Sequence, residues 1–244
     1  MIHYSVIVPA YNEQVWLGKS LPALATAMKS IALEGELLVV DNNSSDHTAR
    51  VARDEGARVV FEGHNQISRA RNTGARHAAG RYLVFVDADT IVSAELLQAA
   101  IANLSGGGCC GGGARVVFDH PPPWYARWMP PVWNWFALRF GLAAGCFVYC
   151  LRDAFEAIGG FSERVFASEE IWLSRAVRRW GHLRGLSFKV IRDPPILTSA
   201  RKMQARPLRN FLAFCMVLAF PPAVFSRRLS FLWYRRDGTS PPQP

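Results

Sequence analysis

Residues 82–89 read Tyr82-Leu83-Val84-Phe85-Val86-Asp87-Ala88-Asp89, five apolar residues that end on two carboxylates one residue apart. A short apolar run without alternation is the pattern of a strand covered on both faces, as in parallel sheets. The figure recurs toward the N-terminus. Tyr4 to Val8 is a strand-like run followed by Pro9, Ala10, Tyr11, Asn12 and Glu13. Leu37 to Val40 runs into Asp41, Asn42, Asn43, Ser44, Ser45 and Asp46, and Val59 to Phe61 is a weaker run.

Helical signals fill the gaps. Leu17, Leu21, Leu24, Met28 and Ile31 recur at spacings of four and three, one face of a helix that Pro22 is expected to interrupt and kink. Asp46 is placed to cap a helix running to about Glu55, and Ser68 to Ala79 reads as another. Strand–helix alternation predicts parallel βαβ units and a doubly wound α/β sheet. Ligands of such sheets bind beyond the carboxyl ends of the strands. Three strands here deliver acids to that one edge.

An isolated Asp-x-Asp is more often a solvated turn than a site. The two other acidic loops reverse that preference. Paired carboxylates at a strand end suit a nucleoside diphosphate, whose negative charge a divalent cation offsets; Mg²⁺ or Mn²⁺ are the oxygen-preferring choices. Asp89 is the expected metal ligand, Asp87 faces a ribose or a metal-bound water, and Asp41 holds a base or ribose. A dinucleotide-binding enzyme would need glycines after the first strand, and Pro9 to Glu13 contains none.

The second half is less regular. Gly106 to Gly113 is glycine-rich, Ala114 to Phe118 reads as a strand, and Gly159-Gly160 closes a helix begun at Asp153. Ser168 is the expected cap of a helix reaching Trp180. Four of the eight tryptophans fall between Trp124 and Trp135.

Taken in order, these segments resemble family 2 glycosyltransferases. Val6-Ile7-Val8-Pro9-Ala10-Tyr11-Asn12-Glu13 is similar to the family's opening motif, and Asp41 to Asp46 to its second acidic loop. Ala70-Arg71-Asn72-Thr73-Gly74 matches its ARNxG element, Asp87-Ala88-Asp89 its DxD, and Gly159-Gly160-Phe161-Ser162-Glu163 its GGFDE segment. The resemblance spans residues 4 to 180 and implies a GT-A fold, a Rossmann-like, mostly parallel twisted sheet flanked by helices. It implies sugar transfer from a nucleotide-diphosphate sugar with inversion. The implied nucleotide-sugar pocket comprises Pro9, Ala10, Tyr11, Glu13, Asp41, Arg71, Asp87 and Ala88, with Asp89 on the metal. Arg71 would use its bidentate fork on the diphosphate or sugar; the plainer reading is a surface helix charge beside Arg69 and Arg76.

The resemblance also implies a general base near residue 170, where the family's usual Glu-Asp is Glu169-Glu170 here. On a helix Glu170 shares a face with Leu173, Val177 and Trp180, so it is expected to point inward, with Glu169 rotated by about 100°. Glu170 is therefore the expected base and Glu169 the alternative. Two acids in a first helical turn also complement the helix dipole by about 0.3–1 kcal/mol each without any chemistry. His182, after this helix, is more readily structural than a metal ligand.

Composition sets the remaining expectations. The chain has 244 residues, half of them hydrophobic and 19% charged, and a formal charge of +9, which suits an anionic partner. Arg201, Lys202, Arg206, Arg209, Arg227, Arg228, Arg235 and Arg236 come with no acid among them, around an apolar run from Phe211 to Phe225. Fifteen apolar residues fall short of the roughly 20 that span a bilayer. The expectation is a peripheral protein on the cytoplasmic face of the plasma membrane, without a signal peptide and without nucleic acid as partner. The five cysteines have no metal-site spacing and are expected reduced. The organisation expected is a transferase domain over 1–200, divided into a nucleotide-binding half (1–105) and an acceptor half (106–200), and a basic apolar extension over 201–244. Two rivals stand beside it. One is a sugar-1-phosphate nucleotidyltransferase, which would want a glycine-rich loop after the first strand. The other is a non-catalytic membrane- or polyanion-binding protein on a transferase fold.

Overall fold

A computed structural model describes residues 1–123, 127–166 and 168–199; the expected C-terminal extension over 201–244, with Cys215, lies outside the described residues. The elements run β1(Tyr4–Ala10), α1(Gln14–Lys29), β2(Gly35–Asp41), α2(Thr48–Asp54), β3(Arg58–Phe61), α3(Ile67–His77), β4(Tyr82–Val86), β5(Thr90–Ile91), α4(Ala94–Ser105), β6(Cys109–Phe118), α5(Met129–Phe140), β7(Phe147–Leu151), α6(Arg152–Ala157), α7(Glu169–His182) and β8(Ser187–Thr198). One eight-stranded sheet in the order β3-β2-β1-β4-β7-β6-β8-β5 runs through both expected halves.

The unbroken apolar runs have a simple cause. Alternate residues of each strand enter different layers. Val6, Val8, Val39 and Val84 join a core with Leu17, Leu21 and Leu24 of α1 and Leu96 and Leu97 of α4. Ile7, Val40, Leu83 and Phe85 join a second core with Phe155 and Phe161 and with Leu173 and Val177 of α7. Burying one such side chain contributes about 1.5–3 kcal/mol, so both faces must stay apolar.

β3, β2, β1 and β4 are parallel, which brings their carboxyl ends to one edge; Ala10 pairs with Asp41 and Ile7 with Phe85. β7 runs antiparallel to β4, pairing Phe147 with Val86, so its start returns to that same edge. β7 and β8 are additions to the sequence reading. The Asp193-Pro194-Pro195 stretch interrupts the pattern of β8, whose register against β6 shifts between Ala114 and Val116.

Several local expectations need correction. α1 continues through Pro22, where the Thr26 hydroxyl donates to the Pro22 carbonyl. α2 begins at Thr48 after His47, and Asp46 accepts from the Thr48 amide from just outside. Ser168 precedes α7 in a left-handed conformation (φ 61°) and makes no side-chain cap. β6 starts at Cys109, earlier than the expected Ala114, and takes in the second half of the glycine-rich segment, where a Cβ at Gly112 would stand 1.8 Å from the Lys189 carbonyl and one at Gly113 2.7 Å from Ala143. Glycine there lets neighbouring backbones approach.

Candidate active site

The loops that leave β1, β2 and β3 are tied together before any ligand arrives. Asn12, at φ 53°, donates its amide to Ser44 Oγ (3.0 Å) and accepts from the Ser45 amide at Oδ1 (2.8 Å). The Glu13 amide donates to Thr48 Oγ1 (2.8 Å), and Asp41 Oδ1 accepts from the Ser44 amide (3.1 Å). Asn42 Nδ2 donates to the carbonyls of Glu62 and His64. Such side-chain to backbone bonds satisfy loop groups that a sheet ladder would otherwise pair. Pro9, Ala10, Glu13 and Asp41 are buried at this edge, and Tyr11 is half-buried.

The fourth strand adds Asp87, Ala88 and Asp89. Ala88 and Asp89 are buried, and the Ala88 carbonyl accepts from Ser20 on α1. Asp87 donates its amide to the Cys146 carbonyl (3.2 Å), linking the acidic turn to the start of β7. Thus the edge gathers Asp41 from the end of β2 and Asp87 and Asp89 from the turn after β4.

Arg71 joins this edge to α7. Nη1 donates to Glu169 Oε1 (2.5 Å), and Nη2 to Asp87 Oδ1 (2.9 Å) and the Gly145 carbonyl (2.7 Å). Its guanidinium lies 5.0 Å from the Phe161 ring centroid, and its buried Nε has no hydrogen-bond partner among the described residues. Burial opposes the charge, but Asp87, Glu169 and Glu170 outweigh it and hold the arginine pKa above its usual value. With 1% exposure and both terminal nitrogens engaged, Arg71 faces protein groups rather than solvent.

The rest of the ARNxG element braces the same junction. Asn72 closes a two-way pair with the Phe161 backbone, accepting at Oδ1 (2.9 Å) and donating from Nδ2 (3.0 Å). Thr73 Oγ1 donates to Glu62 Oε2 (2.6 Å). A Cβ at Gly74 would stand 2.4 Å from Ile7 Cγ2, so only glycine lets α3 sit this close to β1.

Glu169 and Glu170 exchange the positions expected of them. Glu169 is the buried one (4% exposed), because Arg71 draws it in; Glu170 is half-buried. The Glu170 carboxylate lies against Gly145, where an added Cβ would stand 3.6 Å from Oε2. Burial, then the charge of Glu169, push its pKa up to about 8. Arg71 pulls the other way without cancelling that. Beside it is Cys146, which sequence reading did not connect to the site. Burial and the negative charges of Asp87, Asp89 and Glu170 raise the thiol pKa. Only the antiparallel return of β7 puts Gly145 and Cys146 here. His182 is exposed at the opposite end of α7, about 18 Å along the helix axis from Glu170, and plays no part.

The ordered motifs on this fold are matched by the model of glycosyl transferase family 2 over residues 5–159. The chain belongs to glycosyltransferase family 2. Among relatives, glycosyltransferase AglE of Haloferax volcanii is 35% identical over 123 residues, 48% of this chain and 40% of that protein. The UDP-Glc:alpha-D-GlcNAc-diphosphoundecaprenol beta-1,3-glucosyltransferase WfgD of Escherichia coli is 32% identical over 104 residues, 41% of this chain and 40% of its own. The chain thus spans well under two thirds of these family 2 relatives. In fold it is similar to the mannosyltransferase PcManGT of Pyrobaculum calidifontis, solved with GDP-Man and Mn²⁺, with a TM-score of 0.64 and 21% identity over 98% of this chain and 66% of that one. The sheet is therefore the GT-A sheet, as the sequence led one to expect.

Proposed function

We propose that the protein transfers a sugar from a nucleotide-diphosphate sugar to an acceptor hydroxyl with inversion. The observation that carries this reading is the placement of Asp41, Asp87, Asp89 and Glu170 at one sheet edge of a family 2 chain, with Arg71 tying Asp87 to Glu169, the neighbour of Glu170. The nucleoside lies along Pro9 to Tyr11, Glu13 and Asp41, and its diphosphate beside Ala88 and Asp89. No group of three or more His, Cys, Asp or Glu able to hold a metal exists among the described residues. That fits a cation which one carboxylate shares with substrate phosphates, as Mg²⁺ commonly does. Asp89 would hold Mn²⁺ or Mg²⁺ jointly with the donor, where the cation offsets charge on the departing nucleoside diphosphate.

The protein's own groups divide the remaining work. Glu170 takes the acceptor proton; the freed oxygen attacks the anomeric carbon opposite the diphosphate, and the bond to the diphosphate breaks. A carboxyl with a pKa near 8 is a stronger base than an ordinary glutamate. Glu169 is committed to Arg71, so Arg71 and Glu169 act as positioning residues that fix the base helix against the Asp87 turn. This replaces a direct contact of Arg71 with the diphosphate. The acceptor is read as lipid-linked, in keeping with the diphosphoundecaprenol-linked acceptor in the name of WfgD, and the protein as peripheral on the cytoplasmic membrane face. No helix among the described residues is long and apolar enough to cross a membrane. We assign residues 1–105 to the donor, 106–200 to the acceptor and 201–244 to the membrane.

Calorimetric titration of UDP, GDP and dTDP, with and without Mn²⁺, on wild type and Asp89→Ala tests the donor site. Metal-dependent binding of one nucleotide, lost in the variant, is the expected result. A folded protein that binds none of them would overturn the reading.

A further inference from the structure

α5 carries its apolar face outward. Trp128, Val132, Trp135, Phe136 and Phe140 recur at intervals of four, three, one and four, a single helical stripe. They are 76, 51, 59, 43 and 43% exposed, whereas Ala137 is the one fully buried residue of the helix. The side that meets the sheet is held by polar pairing: Asn134 donates to the Val116 carbonyl and accepts from its amide. The exposed rings pack on one another, with Trp135 4.9 Å from Phe136 and Phe136 5.7 Å from Phe140. The stripe is thus organised but left uncovered by the described residues.

Its surroundings are positively charged. Arg139 sits within the stripe, 5.5 Å from the Phe140 ring. At the stripe's end Arg178 of α7 donates to the Phe140 carbonyl. On α7, Trp172, Arg175 and Arg179 are exposed and share a stripe of their own. No acid occurs from residue 120 to 152, nor from 171 to 192. Both elements also lead into the reaction edge: residues 141–145 run from α5 to Gly145 beside Glu170, and Glu170 lies in the first turn of α7.

We propose that the exposed face of α5, with the adjoining arginines of α7, is a docking surface for an anionic lipid bilayer, from which the acceptor is presented to Glu170. Exposed aromatic and basic residues on one helix are the combination that lies in a headgroup region. Charge selects this occupant. A second copy docking isologously would set Arg139 near its own counterpart. Residues 201–236 carry eight basic residues and no acid, so they too would add like charge. The surface itself stands on exposure and charge; its role in presenting the acceptor rests on the transferase reading.

The test uses the full chain in co-sedimentation with phosphatidylcholine vesicles, with and without phosphatidylglycerol. Wild type should sediment with the anionic vesicles alone. Trp135→Ser/Phe136→Ser should weaken this at least tenfold. A basic residue near an anionic leaflet contributes about fivefold in partition, so Arg139→Glu/Arg175→Glu should weaken it roughly 25-fold or more. Circular dichroism and metal-dependent nucleotide binding are read on each variant and should match wild type. The proposal is overturned if wild type ignores lipid charge, if both variants sediment as wild type, or if ultracentrifugation finds a dimer that Trp135→Ser/Phe136→Ser dissolves. Vesicle binding without nucleotide binding would sink the transferase reading and leave the surface standing.

Discussion

Arg71 carries more than any other single residue. Its guanidinium is the shared partner of Asp87 and Glu169, and removing one member of a buried ion network leaves an unpaired charge worth about 3–5 kcal/mol. Arg71→Met should therefore lower stability by that order in a denaturant titration. Arg71→Lys should lose much of it too, since one ammonium cannot reproduce the fork. Glu170→Gln should keep nucleotide affinity yet lose about 10²–10⁴ in turnover, the usual share of a general base; turnover near wild type would move the proton-accepting role elsewhere. The pH behaviour has a definite sign. The folded-state pKa of Glu170 is raised from 4.5 to about 8, so the native protein binds this proton more tightly than the unfolded chain. Its contribution to stability is present below pH 4.5 and is lost as pH rises through about 8. In the metal-free protein, Glu170→Gln should melt above wild type near pH 9 and lose that advantage near pH 4. Equal melting shifts at both pH values would refute the assignment. The ARNxG match pointed to Arg71 and the pair pattern to Glu169 and Glu170. Which glutamate is drawn inward was not legible, because helical periodicity counts apolar neighbours and takes no account of an arginine arriving from α3.

At the scale of elements, α3 is the keystone because it touches β1 closely and clamps Phe161 from its other side. Gly74→Ala would push a methyl into Ile7 and Val40, and overpacking of this kind costs typically 1–3 kcal/mol. The expected result is a lower melting temperature together with weaker nucleotide binding, as α3 moves and Arg71 with it. Gly18→Ala at an exposed position of α1 is the matched control: nothing lies within 4 Å of the new methyl. Helix propensity there should raise stability by about 0.5–1 kcal/mol. A Gly74→Ala protein as stable as wild type would remove close packing as the reason for that glycine. The strands with unbroken apolar runs were legible in sequence, since burial on both faces leaves that trace. β7 and β8 were not: β7 follows a glycine-containing turn with no distinct signal, and the prolines of β8 read as a break.

Across the whole molecule the site is a seam. One wall is the parallel half of the sheet with its three acidic loops. The other is the antiparallel return of β7 with the first turn of α7. Arg71 and the Asp87 amide cross between them through Gly145 and Cys146. Nucleotide bound to the loop wall should therefore stabilise both walls together. At saturating nucleotide and Mn²⁺, hydrogen exchange should slow in residues 141–147 and 169–174 as well as in 9–13 and 87–90. Protection confined to the β1–β4 loops would mean that the walls are uncoupled.

The sequence by itself determined the sheet's parallel half, the acidic edge and the family, because apolar periodicity and loop residues of fixed spacing are local properties. It also named the carboxylates on which the proposed transfer rests. Only the tertiary structure decided which of them Arg71 holds. An ion pair between residues 71 and 169, a thiol brought to the site by strand reversal, and an aromatic helix left uncovered all depend on which segments meet. Chain periodicity carries no information about partners a hundred residues away.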